Sequence, residues 1–531
     1  MGKLGLLDCT LRDGGYLNDW EFGHDNIVSI FERVVEANTD FIEIGFLDER
    51  RNYDYNRTIM PDTASADKIF GRLNKKNTKV FAMIDFGTCK IKNLSKCGDT
   101  FIDGIRVIFK KDKKKEALEY CQEVKELSYI TSAQLVSVTS YTDEELIELC
   151  NIANYVKPDI ISMVDTYGLT HQNNLLHIFE ILNKSLNRNI AIAYHGHNNF
   201  QMGYANCIMM LSLSKKTDRD IYVDGSLYGM GKSAGNTPIE LIAMHLNNEY
   251  NKNYSISQYL EAIESNIIDF YGKNNWGYNL FYFLAASNDC HPNYVKQLTN
   301  KHTLSIKQIN ELLKQLEGDK KLLYDSNYLE SLYLKFQDKS INDEKDISLL
   351  KKLFSNKKIL VIGPGKSVIN ERNIIADFIN REHPILISIN YAYDAFKPDF
   401  IFLTNSKRYI QIASKLSFDK ISIIATSNVT STGDNFDYMV NISELLDRDS
   451  EYADNSLMMF LKVLIKTDVK DVYLAGFDGY SGTDDNYFDE NKEYTFAKLK
   501  ADYLNNYMSN FIKSVDKKIK TNFITTTKYM V

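Results

Sequence analysis

The chain has 531 residues, 44% of them hydrophobic and 25% charged, with a formal net charge of −7. That length predicts two to four globular domains, and the acidic balance argues against a nucleic-acid binder, which would show a basic face. Seven cysteines without a C-x-x-C pair argue against a secreted disulfide framework, and no apolar run reaches the ~18 residues that span a bilayer, so a cytoplasmic protein is expected.

In chain order, short apolar runs alternate with longer amphipathic stretches over the first 250 residues. Strands are predicted at Lys3–Asp8, Phe41–Gly45, Val80–Ile84, Gly104–Ile108, Gln134–Val138, Ile160–Val164, Ile190–Tyr194 and Ile221–Asp224. Helices such as Asp25–Ala37, Glu116–Leu127, Asp143–Tyr155 and Asn173–Leu186 fall between them. Eight strand–helix units over ~250 residues predict a (β/α)8 TIM barrel, and the near-continuous apolar strands suit a parallel sheet buried on both faces. Lys110–Lys115 reads as a solvated helix start. Residues 251–350 read as a helical extension, with Ser257–Phe270 and Ser305–Glu317 amphipathic and Asp338–Lys345 as a linker. A second alternation covers 351–531. Its strands are predicted at Ile359–Gly363, Ile385–Asn390, Phe400–Thr404, Ile421–Thr426 and Asp471–Ala475, a Rossmann-like three-layer α/β domain.

Functional groups of such barrels sit at the C-terminal strand ends. The first strand runs into Asp8-Cys9-Thr10-Leu11-Arg12-Asp13-Gly14-Gly15-Tyr16, and the seventh into Tyr194-His195-Gly196-His197-Asn198. If the extended backbone continues to His197, both imidazoles point to one side. With Asp13 they make a two-His, one-carboxylate set that can hold a divalent ion and leave positions open for substrate. Mn²⁺ and Mg²⁺ lead, with Co²⁺ and Zn²⁺ as alternatives.

These segments, together with Gly229-Met230-Gly231-Lys232-Ser233-Ala234-Gly235-Asn236, resemble the DRE-TIM (HMGL-like) metallolyases, nearest the 4-hydroxy-2-oxovalerate aldolase branch. The resemblance covers residues 3–250. It implies Asp13, His195 and His197 as metal ligands, Asn236 as a fourth ligand or a shaper of its loop, and Arg12 as the group that stabilises an enolate oxygen. The alternative role for Arg12 is a brace to Asp8 or Glu43. Glu43, Arg106 and Asp165 are expected to touch substrate or brace the site, with Arg106 otherwise a counter-ion to Glu43 or Asp85. Where the aldolases place a basic histidine, this chain has Tyr16, a poorer base at neutral pH. The proton acceptor is then Tyr16, His24, a metal-bound water or the substrate itself. The implied activity is a pyruvate-type aldol cleavage or condensation on a 2-oxo acid and an aldehyde, with a sugar-derived aldehyde for surface glycans as one setting. Acyl-CoA condensation with a 2-oxo acid and a non-catalytic scaffold are the alternatives. A homodimer is the family expectation.

In the second alternation, Gly363-Pro364-Gly365-Lys366-Ser367 lacks the spacing of a P-loop or a dinucleotide fingerprint. A strand-to-helix glycine turn can still present amides to a phosphate, so Gly363, Gly365, Lys366 and Ser367 are candidate cofactor-binding residues. With Tyr473-Leu474-Ala475-Gly476-Phe477-Asp478-Gly479 the arrangement is faintly similar to sialyltransferase-like nucleotide-binding domains, which implies a nucleotide or nucleotide sugar.

Overall fold

Parallel strands and helices alternate from the first residues. The strands are Leu4–Asp8 (β1), Phe41–Leu47 (β2), Ile59–Met60 (β3), Lys79–Asp85 (β4), Gly104–Phe109 (β5), Ile130–Leu135 (β6), Ile160–Asp165 (β7), Ala191–Gly196 (β8) and Ile221–Gly225 (β9). They pair in the order β1-β9-β8-β7-β6-β5-β4-β2, and β1 also pairs with β2, so eight strands close a ring while β3 hangs on β2 outside it. This is the (β/α)8 barrel that the alternation predicts. The computed structural model describes residues 2–529 except 302, 322, 394, 420, 430–435, 448–453 and 489–494. Among the described residues no helix is long and apolar enough to cross a membrane.

The barrel interior is layered by the two-residue period of its strands. Phe41, Phe81 and Tyr222 pack edge to face at the N-terminal end, with ring centroids 5.0–5.6 Å apart. Two residues further along β2 and β9 come Glu43 and Asp224, and Arg106, Gln134 and His195 join them from β5, β6 and β8. The lower layer is an apolar plug, whereas the upper layer is almost wholly polar and still buried. Outside the ring, helices such as His24–Glu36 and Asp143–Val156 press an apolar stripe onto the strands. The capping box Thr142–Glu145 starts the second of these.

One predicted strand is displaced. Gln134–Val138 was expected, and the strand runs Ile130–Leu135 in register with Gly104–Phe109. The polar pair Thr131-Ser132 hides its start from a search for apolar runs. Ser137 adopts a left-handed φ of 51°, and residues 138–140 turn.

The chain divides into two units, Met1–Pro292 and Asn293–Val531. The expected boundaries at 250 and 350 therefore give way to one inside the helical region. Tyr259 of helix Ile256–Ala262 bonds Thr39 at 2.7 Å, which ties the region before the boundary to the barrel. Beyond it, Gln308 donates to Ser406 at 3.0 Å and Asn428 to Gln337 at 2.7 Å, which ties the later helices to the second sheet. The expected linker, Asp338–Lys345, is irregular over residues 338–343 between helices Ser326–Gln337 and Glu344–Phe354, and Asp343 accepts from the Asn441 amide at 2.8 Å.

That second sheet contains Ile359–Ile362 (β10), Ile385–Ile389 (β11), Phe400–Leu403 (β12), Ser422–Thr426 (β13), Tyr438–Val440 (β14), Asp471–Ala475 (β15) and Lys520–Phe523 (β16). All pairs are parallel, in the order β14-β13-β12-β11-β10-β15-β16. Ile359 and Val361 face helices Ser456–Lys466 and Ala501–Val515, while Leu360 and Ile362 face Arg372–Glu382. Both faces are covered, which accounts for strands such as β10 and β12 that are apolar at every position.

Candidate metal centre and its supports

The β1 strand delivers Asp13 on a short helical turn, Thr10–Asp13, and β8 delivers His195, with His197 just beyond its end. The extended backbone does continue: His197 forms an antiparallel bridge with Asn236. One ligand atom each from Asp13, His195 and His197 lies within 4.8 Å of the other two, and all three residues are buried.

The surroundings aim these atoms. Asp224 takes His195 Nδ1 at 3.1 Å, and the Asp165 carbonyl accepts from His197 Nδ1 at 3.0 Å. Both Nε2 atoms are left buried without a hydrogen bond, as is Asn236 Oδ1, whose Nδ2 donates to Met230 O, Ser226 Oγ and Cys9 Sγ. Buried polar atoms rarely stay unbonded. Two imidazole nitrogens and an amide oxygen left open around a carboxylate suit a divalent cation, with the outer contacts fixing each imidazole as metal sites do. Burial lowers the pKa of His195, which keeps it neutral and ready to ligate. Burial alone would raise Asp13, but Arg12 and His197 outweigh it and hold the carboxyl well below its ordinary range.

Gly231 shows how tightly the 229–236 loop closes on the centre. A Cβ there would lie 2.6 Å from Asp13 Oδ2 and 2.3 Å from Asn236 Nδ2, so only glycine lets the backbone approach. The next residue, Lys232, donates its amide to Asp13 Oδ2 at 3.1 Å and places its Nζ 5.1 Å from the Tyr16 ring centroid.

Arg12, Glu43, Arg106 and Asp224 form one buried chain of charges. Arg12 Nε donates to Glu43 Oε2 at 2.7 Å and its other arm pairs with Asp13. Arg106 donates to the same Glu43 oxygen at 3.0 Å, to Gln134 at 2.9 Å and to Asp224. Glu43 is thus shared by two guanidinium groups and fully enclosed. Arg106 answers Glu43 and Asp224 rather than Asp85, which ends β4 exposed. Asp165 turns its carboxylate into its own loop, accepting from Leu169 and Thr170 amides at 2.8 and 3.0 Å. Tyr16 lies against Trp20 and Phe46, and its packing pushes its pKa above the ordinary phenol range. The second base candidate, His24, begins its helix against Tyr55. Sequence reasoning missed Asp224 as the His195 orienter; its only trace was a carboxylate at a barrel strand end.

Asp8 carries a separate expectation. It is fully buried, and burial raises its pKa from 3.8 to about 7 against the opposing Thr10 bonds. The folded form therefore holds a proton that the unfolded chain releases, so stability falls as pH rises from about 4 to 7 and is level above. Asp8→Asn should raise the melting temperature at pH 8, with the gain shrinking toward pH 5. Thermal melts at both values check this, and an equal shift at both contradicts it.

In the second unit, the glycine turn is already filled. Gly365 donates its amide to Gly476 O at 2.8 Å and Ser367 its amide to Asp478 Oδ2 at 2.8 Å. A Cβ on Gly363 or Gly365 would meet Gly476 or Asp478 within 2.6 Å. The glycines therefore serve close packing onto the β15 loop, and of the amides expected to face a phosphate, that of Gly365 faces Gly476 O and that of Ser367 faces Asp478. Lys366 stands 4.0 Å from Asp485.

Residues 3–265 match the HMGL-like family. The 4-hydroxy-2-oxovalerate aldolase 6 of Rhodococcus jostii is 24% identical over 249 residues, 45% of this chain and 66% of that protein. The oxaloacetate decarboxylase of Mycobacterium tuberculosis is also 24% identical over 249 residues, 45% of this chain and 69% of its own. The chain thus spans about two thirds of the length of these curated relatives. Among solved structures, the HMG-CoA lyase of Bacillus subtilis is similar at 18% identity and a TM-score of 0.42, over 52% of this chain and 95% of that one. The barrel with its Asp13, His195 and His197 cluster is an HMGL-like domain of the DRE-TIM class.

Proposed function

We propose that the barrel is a divalent-metal-dependent lyase whose reaction passes through the enolate of pyruvate. The observation that supports it most is the set of buried, unbonded atoms, His195 Nε2, His197 Nε2 and Asn236 Oδ1, gathered around Asp13 at the barrel mouth. Asp13, His195 and His197 would hold the ion, with Asn236 beside them. Such an ion, Mn²⁺ or Mg²⁺ first, supplies Lewis-acid polarisation of a 2-oxo group.

The remaining work falls to this chain's own side chains. Arg12 is locked by Glu43 and Asp13 and brings a fixed positive charge to the place where enolate charge develops. Such preorganised groups are worth ~3 kcal/mol or more in a transition state. Tyr16 is a phenol that stays protonated at neutral pH, so it is suited to donate a proton to the enolate carbon rather than to take one from a hydroxyl. Cleaving a 4-hydroxy-2-oxo acid needs a base for the C4 hydroxyl, after which the C3–C4 bond breaks to an aldehyde and pyruvate enolate. Decarboxylating oxaloacetate reaches the same enolate with no hydroxyl to deprotonate, and Tyr16 favours that second reading.

The test is pyruvate release from a panel of 4-hydroxy-2-oxo acids, including sugar-derived ones, and from oxaloacetate, with and without Mn²⁺. Release that depends on metal supports the lyase, and the best substrate decides between aldol cleavage and decarboxylation. No release from any member, with metal bound, sinks the reading and moves weight to acyl-CoA condensation. Lys232 supplies a finer expectation. Its Nζ stands over Tyr16 at the mouth, so Lys232→Gln should raise KM about tenfold for substrates with an anionic distal group and leave kcat within about twofold.

A further inference from the structure

The second unit holds a cavity of about 760 Å³ that the barrel chemistry does not use. Its position follows from topology. The β10 strand lies inside the sheet; the chain leaves it toward β11 to β14 on one side and returns to β15 and β16 on the other. In open parallel α/β sheets, ligands occupy the crevice beyond the C-terminal strand ends at such a reversal. The cavity is there: Gly365 follows β10, Asn390 follows β11, Thr404 follows β12 and Phe477 follows β15, and all four line it.

Three kinds of group form its walls. Amides and hydroxyls come from Asn390, Asn405, Thr404 and Ser456. Asn390, held at a left-handed φ of 58°, donates to Thr404 Oγ1 at 2.8 Å and Ser456 Oγ at 2.7 Å, so this polar wall is set in place by the fold. Tyr391, Phe477 and Tyr480 add aromatic rings. Arg408, buried and donating one arm to Gln411 at 3.0 Å, and Lys296, exposed, bring positive charge. The carboxylates of the wall are engaged within the protein: Glu330 by Lys301 at 2.9 Å, Asp454 by Tyr333 at 2.5 Å and Asp478 by Ser367. Lys296 has no such ion pair among the described residues.

We propose that this cavity is a second ligand site, built for a glycosyl phosphate, meaning a sugar whose phosphate is free or esterified to a nucleoside. The Asn405 amide and the Thr404 and Ser456 hydroxyls match the paired donors and acceptors of sugar hydroxyls, with Asn390, whose own amide is taken up by Thr404 and Ser456, as their support. Aromatic faces cover the apolar C–H faces of a sugar ring or a base. Arg408 and Lys296 meet the phosphate as charge-assisted donors. The volume falls within the ~300–1,000 Å³ of small-molecule sites. Because Asp478 and Gly476 occupy the glycine turn, the phosphate is met by side-chain cations and not by the turn's amides.

The site is independent of the barrel, so its test uses the full chain in EDTA. Calorimetry is run with N-acetylglucosamine 1-phosphate, with UDP-, GDP- and CMP-linked sugars, with the matching free nucleotides, and with inorganic phosphate. At least one glycosyl phosphate should bind more tightly than inorganic phosphate. Lys296→Glu, a surface change that leaves the core intact, should weaken that binding about tenfold or more, and Lys366→Ala should leave it unchanged. Binding of sugar phosphate alone marks the free form, whereas binding of one nucleotide sugar and its nucleotide marks the nucleoside-bound form; either supports the site. No binding of any probe, or binding weakened by Lys366→Ala and untouched by Lys296→Glu, overturns it.

Discussion

His195→Ala is expected to abolish metal-dependent pyruvate formation and to remove tight Mn²⁺ binding, while the barrel stays folded. His195 supplies one of three clustered ligand atoms, and its Nε2 is buried without another partner among the described residues. The graded companion is Asp224→Asn. Asp224 touches His195 only through Nδ1, at 3.1 Å, so its loss should weaken metal affinity about 10–100-fold rather than eliminate it. Titration of both variants with Mn²⁺, beside circular dichroism to confirm the fold, separates the two effects. Equal Mn²⁺ affinity in wild type and His195→Ala would place the ion elsewhere.

Glu43→Ala should cost more stability than any other single change at the mouth. Arg12 and Arg106 share its Oε2 at 2.7 and 3.0 Å, and all three side chains are buried. Removing the common anion leaves two enclosed guanidinium groups leaning on Asp13 and Asp224 alone. Breaking a buried pair in this way typically costs about 3–5 kcal/mol. That corresponds to a fall in melting temperature of more than about 6 °C for a unit of this size. Activity should fall as well, because Arg12 loses the contact that holds it beside Asp13. A melting temperature within about 1 °C of wild type would show that the network does not form as described.

Much of the centre was legible in the sequence because its parts are local. Asp13 and Arg12 sit in one turn, His195 and His197 on one extended segment, and Asn236 in one glycine loop; residue spacing and strand ends suffice to find them. What escaped was set by pairing across the barrel. The choice of Arg106 between Glu43 and Asp85, and its further bond to Asp224, depend on which side chains share an interior layer, and layers follow from register, which no single segment encodes. The start of β6 was hidden because Thr131 and Ser132, which precede its apolar run, are polar. The glycine turn misled for a related reason: its Gly365 and Ser367 amides are taken by Gly476 O and Asp478, more than a hundred residues away. The boundary at 292/293 likewise depends on which sheet each amphipathic helix covers, and helical periodicity does not name its target.

The closure of β1 onto β9, with Leu4 opposite Ile221 and Asp8 opposite Gly225, gives the centre a history as well as a shape. Asp13 leaves the ribosome first and must wait for some two hundred residues before its histidine and asparagine neighbours emerge. Until the seam zips, the carboxylate and the imidazoles belong to opposite ends of an open sheet. An ion held by the proposed centre would act as a late clasp: it would bind only the closed ring and draw the equilibrium toward it by mass action. Metal supplied during refolding would then slow reopening of the ring rather than speed its closure, which would leave the first strand, rather than the histidines, the timekeeper of the site.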